Sequence, residues 1–329
     1  MYRPLFLLPL ILILTACALS PVTATSIPVP PTETASPTPV PATVTPNPSI
    51  TPSPTPARLV PNFDYIVVIV FENREFEKIV GNPAMPVFNR LAQDYTLLTQ
   101  HYAVTHPSLP NYLAMIGGDT FGIKRNCDDC FINAPSLPDL IEASGRTWKT
   151  YQEDMPEPCF IGSGMVYAQK HNPFVYFDPI RLDAARCERS VRPLTDLSSD
   201  LAAGSLPNFV FITPNLCNDA HDCGLDVADV WLASQMQSLI NFFGTTSQSF
   251  LVILTWDEGQ GDFSCCGLPE KAGGRVATIL ISPQVKNGFE DATPYTHYSL
   301  LKTIAEAWGL PYLGHAADEN NALIVLPWK

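Results

Sequence analysis

Apolar runs recur along this chain in a form that only a covered sheet accommodates. Residues 65–71 (YIVVIVF) are apolar on both faces, and 209–212 (FVFI), 250–255 (FLVILT) and 276–281 (VATILI) follow the same style. A half-exposed strand alternates apolar and polar residues, whereas continuous runs mark strands buried on both sides. Between the runs lie helical patterns. Residues 86–98 place Val87, Leu91 and Tyr95 four apart, and a second helix starts near Ser108. Ser136-Leu137-Pro138-Asp139 is a capping box for a helix that ends at Gly145. Helices are expected over 227–243 and over 298–308, the latter stopped by Gly309 and Pro311, with a further strand over 147–152. Strands alternating with helices predict an α/β domain, a mostly parallel sheet with helices on both faces.

In such sheets ligands bind beyond the carboxyl ends of the strands. The residues standing there are Glu72-Asn73, Thr213-Pro214-Asn215 and Asp257-Glu258. Adjacent carboxylates cannot both be buried and ionised without a cation, because each raises the other's pKa. A divalent ion removes that conflict. Glu72, Asn73, Asp257 and Glu258 are hard oxygen ligands, and Ser108 offers a fifth, a set suited to Ca²⁺, Mg²⁺ or Mn²⁺, with Zn²⁺ a lesser fit.

Ser108 lies in Thr105-His106-Pro107-Ser108-Leu109-Pro110-Asn111-Tyr112. The run reads as a helix start, with Ser108 as N-cap, Pro110 in the first turn, an apolar stretch from Tyr112 to Ile116, and Gly117-Gly118 as the stop. An oxygen at a helix N-terminus sits over free N–H groups and the positive end of the dipole, a natural seat for phosphate. A metal touching Ser108 would also make its hydroxyl a better nucleophile.

The N-terminus reads as an export signal, with Arg3 followed by an apolar run over 5–14 that is too short to span a membrane comfortably. Leu14-Thr15-Ala16-Cys17 resembles a bacterial lipobox, which implies cleavage before Cys17 and a lipid on its sulfur. Residues 18–60 are nearly all Pro, Thr, Ser, Ala and Val, a composition that reads as a disordered, extended Pro-rich stalk. The globular composition covers 61–329. A net charge of −13 argues against non-specific nucleic-acid binding.

Nine cysteines are present, and setting Cys17 aside leaves eight. In an exported protein an even number suggests disulfides, with 105 possible pairings. The local pairs Cys127–Cys130 and Cys217–Cys223 are the simplest, with Cys159–Cys187 a longer one. Cys265 and Cys266 can join only in a vicinal ring. A zinc site on Cys127 and Cys130 lacks a second pair of matching spacing.

Several segments together resemble the phosphoesterase family of bacterial phospholipases C and bacterial and fungal acid phosphatases, within the alkaline phosphatase superfamily. They are Val70-Phe71-Glu72-Asn73, the run from His106 to Tyr112, WKTYQEDM at 148–155, Lys170-His171-Asn172-Pro173-Phe174, PNLCNDAHD at 214–222, Thr255-Trp256-Asp257-Glu258-Gly259 and Thr296-His297-Tyr298-Ser299. The resemblance implies an alkaline-phosphatase-like fold and one metal ion on Glu72, Asn73, Ser108, Asp257 and Glu258. It implies that Ser108 attacks phosphorus and forms a phosphoseryl intermediate. Asn111 would donate to a phosphoryl oxygen. His106, His221 and His297 would bind phosphate oxygens or protonate the leaving group. His171 receives no role, and His101 and His315 are left as surface or packing residues. A sulfatase is excluded, because Tyr112 stands where that pattern needs arginine.

The expected activity is metal-dependent hydrolysis of small phosphate esters or phospholipids, of the acid-phosphatase type, with a phospholipase C or other phosphodiesterase as the alternative. A non-catalytic surface lipoprotein binding phosphate or a glycan is the alternative of another class. The expected location is the outer face of the cell membrane, through a lipid on Cys17. Cys17→Ser should therefore release the protein from the membrane fraction or block its processing. Continued membrane partitioning of a cleaved mutant would contradict the anchor.

Overall fold

The computed structural model describes residues 58–329. The export signal, the lipobox and almost all of the stalk lie outside the described residues. The fold begins slightly before the expected boundary at 61, because Val60 is fully buried in the core and Arg58 donates to the carbonyl of Ala307 at 3.0 Å.

Among the described residues nine strands form one sheet: β1 (Tyr65–Phe71), β2 (Thr96–Tyr102), β3 (Trp148–Gln152), β4 (Val191–Pro193), β5 (Phe209–Thr213), β6 (Phe250–Trp256), β7 (Arg275–Ile281), β8 (Phe289–Asp291) and β9 (Tyr295–Thr296). The spatial order is β4-β3-β5-β1-β6-β7-β2-β8, and β9 pairs with β2. Pairings from β4 through β6 are parallel. β7 alone is reversed, antiparallel to both β6 and β2.

The alternation of side chains along β1 assigns its residues to two cores. Ile66, Val68 and Val70 face one, with Leu109, Leu113, Phe211 and Ile304. Tyr65, Val67, Ile69 and Phe71 face the other, with Trp231, Leu239 and Trp256. Both faces are thus covered, as the unbroken apolar runs require. The helix Leu225–Thr245 packs on the second face, while Ser108–Gly117 and His297–Trp308 pack together on the first.

One expectation is corrected. The helix read over 86–98 ends at Asp94, and Thr96–Tyr102 is the strand β2. Tyr95 closes the helix in extended backbone. The helical spacing of Val87, Leu91 and Tyr95 ran into a segment whose Thr96, Leu97 and Leu98 are buried against β7 and β8 instead. The capping box at Ser136 is present, with the Ser136 N–H donating to Asp139 at 2.7 Å. Disulfides join Cys127–Cys130, Cys159–Cys187, Cys217–Cys223 and the vicinal Cys265–Cys266. Among the described residues no helix is long and apolar enough to cross a membrane.

His101 of β2 is a fully buried packing residue beside His297, their rings edge to face at 5.1 Å. Burial, and then repulsion from His297, push its pKa well below the ordinary imidazole value. A depressed imidazole pKa means the unfolded chain takes up the proton first. The neutral ring's contribution to stability is therefore complete above about pH 6.5 and is lost as pH falls toward the folded pKa. Urea midpoints should drop between about pH 7.5 and pH 5, and His101→Gln should flatten part of that drop. An unchanged slope in the mutant would show that the buried ring is not responsible.

Candidate active site

The carboxyl ends of β1 and β6 lie side by side, since Phe71 pairs with Trp256 and the Asp257 N–H donates to the Phe71 carbonyl at 2.9 Å. Glu72 and Asp257 are the next residues of each strand, and both are fully buried. Ser108 faces them. Its Oγ lies 3.2 Å from Glu72 Oε2 and 3.2 Å from Glu258 Oε1.

Ser108 is not the N-cap that the sequence suggested. Pro107 holds that position, and Ser108 is the first residue of the helix Ser108–Gly117. A capping serine turns its hydroxyl back toward its own helix; here the hydroxyl is free to face the carboxylates. The helix ends at Gly118, left-handed at φ 76°, where a Cβ would come within 2.2 Å of the Leu313 carbonyl.

Asp257 Oδ1 accepts from the N–H groups of Asn73 at 2.9 Å and Glu258 at 2.6 Å, while its buried Oδ2 has no partner among the described residues. Burial, then the charges of Glu72 and Glu258, push the Asp257 pKa well above the usual carboxylate range. Asn73 reaches the cluster through its backbone, in a left-handed conformation at φ 54°.

The other oxygen of Glu72 looks into a second group. Tyr112 donates its hydroxyl to Oε1 at 2.5 Å, and His171 Nε2 lies 3.2 Å from the same atom. His171 Nδ1 is 3.4 Å from Asp219 Oδ2. Glu72, His171 and Asp219 bring ligand atoms within 4.8 Å of one another and could hold a metal ion. Burial disfavours every charge here. For Glu72 the pairing with His171 outweighs it, lowering the carboxyl pKa and raising that of His171. For Asp219 burial wins, and its pKa rises to about 6.

The expected histidines divide. His106 Nδ1 contacts Glu258 Oε2, and Nε2 donates to the Gly261 carbonyl at 3.0 Å. Both nitrogens thus face oxygen atoms, and the hydrogen bond to Glu258 raises the ring's pKa. His297 Nε2 donates to the Asp257 carbonyl at 2.5 Å, which leaves Nδ1 buried without a partner among the described residues, and burial lowers its pKa to about 4. His221 stands at the rim, its Nδ1 2.6 Å from Asp222 Oδ1 and its ring 6.2 Å from that of His171.

Asn111 is spent on its own loop. Its Oδ1 accepts from Val104 and Thr105, and its Nδ2 donates to the carbonyls of Thr105 and Pro107. The geometry makes it a clamp for the turn carrying His106, not the phosphoryl donor expected from the resemblance. Of the strand-end polar groups, Thr213-Pro214-Asn215 does not join the cluster. Asn215 instead caps the following turn, accepting from Cys217 and Asn218, and Asp219 further along that loop enters the site.

Sequence reasoning did not single out Glu75. Its Oε2 accepts from Gln260 at 2.8 Å and Gly261 at 2.9 Å, and its Oε1 accepts from Arg275 at 2.9 Å. This nearly buried carboxylate ties down the loop that follows Asp257-Glu258. A Cβ on Gly259 would sit 2.2 Å from Glu75 Oε2, so a larger residue there would displace this carboxylate from its present position. The only sequence signal was an acidic residue soon after a strand end.

The donor set suits a divalent cation: Asp257 Oδ2 is orphaned, three buried carboxylates crowd together, and one serine hydroxyl cannot donate to both carboxylates facing it. The same fold occurs in a solved protein of the alkaline phosphatase superfamily. A crystal structure of a protein in that superfamily from Vibrio parahaemolyticus superposes with a TM-score of 0.51 at 12% identity, over 79% of this chain and 71% of that one. Residues 82–311 match the phosphoesterase family, and the chain belongs to that family. It is 38% identical to a phosphate-repressible acid phosphatase of Penicillium chrysogenum, over 77% of this chain and 60% of the fungal one. It is 31% identical to a phosphatidylinositol-3-phosphatase of Mycobacterium tuberculosis, over 80% and 82% respectively. The chain thus spans about three fifths of the length of the fungal relative.

Loss of the Glu75 tie should register at the site. Glu75→Ala strips three N–H groups of their acceptor and should lower kcat/KM by about tenfold or more, while Glu75→Gln, which keeps one amide oxygen, should lose less. Limited proteolysis should cut 259–274 faster in the alanine variant. Unaltered kinetics and cleavage in both would remove Glu75 from any role in shaping the site.

Proposed function

We propose that this chain hydrolyses phosphate monoesters through a phosphoserine intermediate on Ser108, with a divalent metal ion. The observation that carries the reading is the placement of Ser108 Oγ, at the start of a helix and 3.2 Å from both Glu72 Oε2 and Glu258 Oε1. A hydroxyl buried between two carboxylates has proton acceptors on hand, and a phosphoryl group at that point meets the positive end of the helix dipole.

Glu72, Asp257, Glu258 and Ser108, with Asn73 beside them, would hold the ion, which would supply positive charge for the phosphoryl oxygens and for the serine alkoxide. Ser108 Oγ attacks phosphorus and passes its proton to a facing carboxylate. The bond from phosphorus to the ester oxygen breaks. His106, whose Nε2 would release the Gly261 carbonyl to do so, delivers a proton to the departing alkoxide and regains one through Glu258, which contacts its Nδ1. Water then attacks the phosphoserine, releasing inorganic phosphate and restoring the hydroxyl. His221, with Nδ1 held by Asp222, turns its other nitrogen to the phosphoryl oxygens. His297 supports the Asp257 backbone from below. The names of the fungal and mycobacterial relatives favour this reaction class. The lipobox-like Leu14-Thr15-Ala16-Cys17 and the Pro-rich stretch after it favour an exported, lipid-anchored enzyme.

Ser108→Ala should lower kcat on p-nitrophenyl phosphate by about a thousandfold or more with little change in stability. Chelation should abolish turnover, and Mg²⁺, Ca²⁺ or Mn²⁺ should restore it. Turnover of bis(p-nitrophenyl) phosphate in preference to the monoester would replace the proposed activity with that of a diesterase. A Ser108→Ala variant retaining more than a tenth of the activity would exclude the covalent route.

A further inference from the structure

A groove of about 420 Å³ opens beside His106, two residues before Ser108. That is far more room than a phosphoryl group needs, and within the range of small-ligand sites. Its other walls come from the segment after the Ser108 helix, from Gly267 and Leu268, and from the C-terminal segment around Asn320. None of these belongs to the carboxylate cluster.

The groove's polar groups divide into spent and free. Asn321 accepts from the Thr296 hydroxyl and donates to the His315 carbonyl. His315 is bracketed by Asp318 Oδ2 at 2.8 Å and Asp119 at 3.9 Å. Among the described residues, no side-chain hydrogen bond or ion pair occupies the Lys124 ammonium, the Asn320 amide or Asp318 Oδ1. Beneath them, Val104, Leu268 and the buried ring of Tyr298 make an apolar floor.

Free donors and free acceptors around an apolar floor disfavour two kinds of leaving group relative to one that satisfies them. An alkyl or aryl alcohol would cover Asn320 and Asp318 without satisfying them, which costs free energy. A second phosphate would meet the open oxygen of Asp318, with the neighbouring His315 already matched by two carboxylates. A polyol suits all of them, because every hydroxyl both donates and accepts while its C–H face packs on an aromatic or aliphatic surface. We propose that this groove is the leaving-group subsite and that it takes a sugar or cyclitol bearing the phosphate, with Lys124, Asp318 and Asn320 as specificity-determining residues. The inference rests on the proposed hydrolysis at Ser108 and on the presence of His106, two residues before it, in the groove's wall. The same polyol chemistry arises in a free sugar phosphate and in an inositol lipid headgroup.

The test measures kcat/KM of the full chain on p-nitrophenyl phosphate, on glucose 6-phosphate in solution, and on phosphatidylinositol 3-phosphate in phosphatidylcholine vesicles. Asn320→Leu and, independently, Lys124→Met should lower the ratio of polyol to p-nitrophenyl turnover by about tenfold each. A drop confined to the soluble arm identifies a free sugar phosphate as the source, and one confined to the vesicles identifies the lipid. Both substitutions lie on exposed surface, so a fold that tolerates either is enough. A ratio that stays within twofold of wild type in both variants overturns the groove assignment while leaving hydrolysis standing. A wild-type chain that cleaves none of the three, or a Ser108→Ala variant that cleaves them all at full rate, overturns the underlying reaction instead.

Discussion

Three carboxylates, Glu72, Asp257 and Glu258, are desolvated at the ends of two hydrogen-bonded strands, and the surrounding structure is arranged to make that tolerable. Two like charges about 4 Å apart repel by roughly 4 kcal/mol even at an effective dielectric near 20. That is a sizeable part of the roughly 5–15 kcal/mol that holds a domain folded. The compensation is distributed. Asp257 takes two backbone N–H bonds, Glu72 takes a tyrosine hydroxyl and a histidine, and Glu258 takes His106. What remains unbalanced, the orphaned Oδ2 of Asp257, is where a cation or a proton is drawn.

Glu72 joins the two halves of the site. One of its oxygens faces Ser108, and the other faces Tyr112 and His171, with Asp219 beyond. A perturbation on the Asp219 side therefore reaches Ser108 through one carboxylate. His171 thereby acquires the connection that reading its segment alone did not supply. The stacking of its ring on Tyr112 at 5.4 Å keeps it in place from the helix that carries Ser108.

The parts legible in sequence were those where function abuts regular structure. Glu72, Asp257 and Glu258 follow unmistakable buried strands, so their meeting could be read from strand periodicity and the habits of parallel sheets. β2 was misread because a helical spacing continued through Tyr95 without a breaker, and the short β4, β8 and β9 carry too few residues to show a period. Glu75, His171 and Asp219 were missed as partners because their contacts join segments tens to nearly two hundred residues apart. No local pattern records such pairings. Asn111 shows the converse: a residue placed by resemblance whose amide is consumed by its immediate neighbours.

The reversal of β7 has a topological consequence. In an all-parallel sheet the chain leaves each strand end at the functional edge and must cross to the far edge before the next strand begins. Because β7 runs back, the segment between Trp256 and Arg275 both departs from and returns to the same edge. It exchanges backbone hydrogen bonds with the turn leading to Ser108, between Gly273 and Ala103 and between Ala103 and Gly274. That segment is an excursion anchored at its base, with no crossing helix whose length must be kept. Residues can be inserted or deleted in its outer part, reshaping the wall beside Gly267 and Leu268, without shifting the register of any strand.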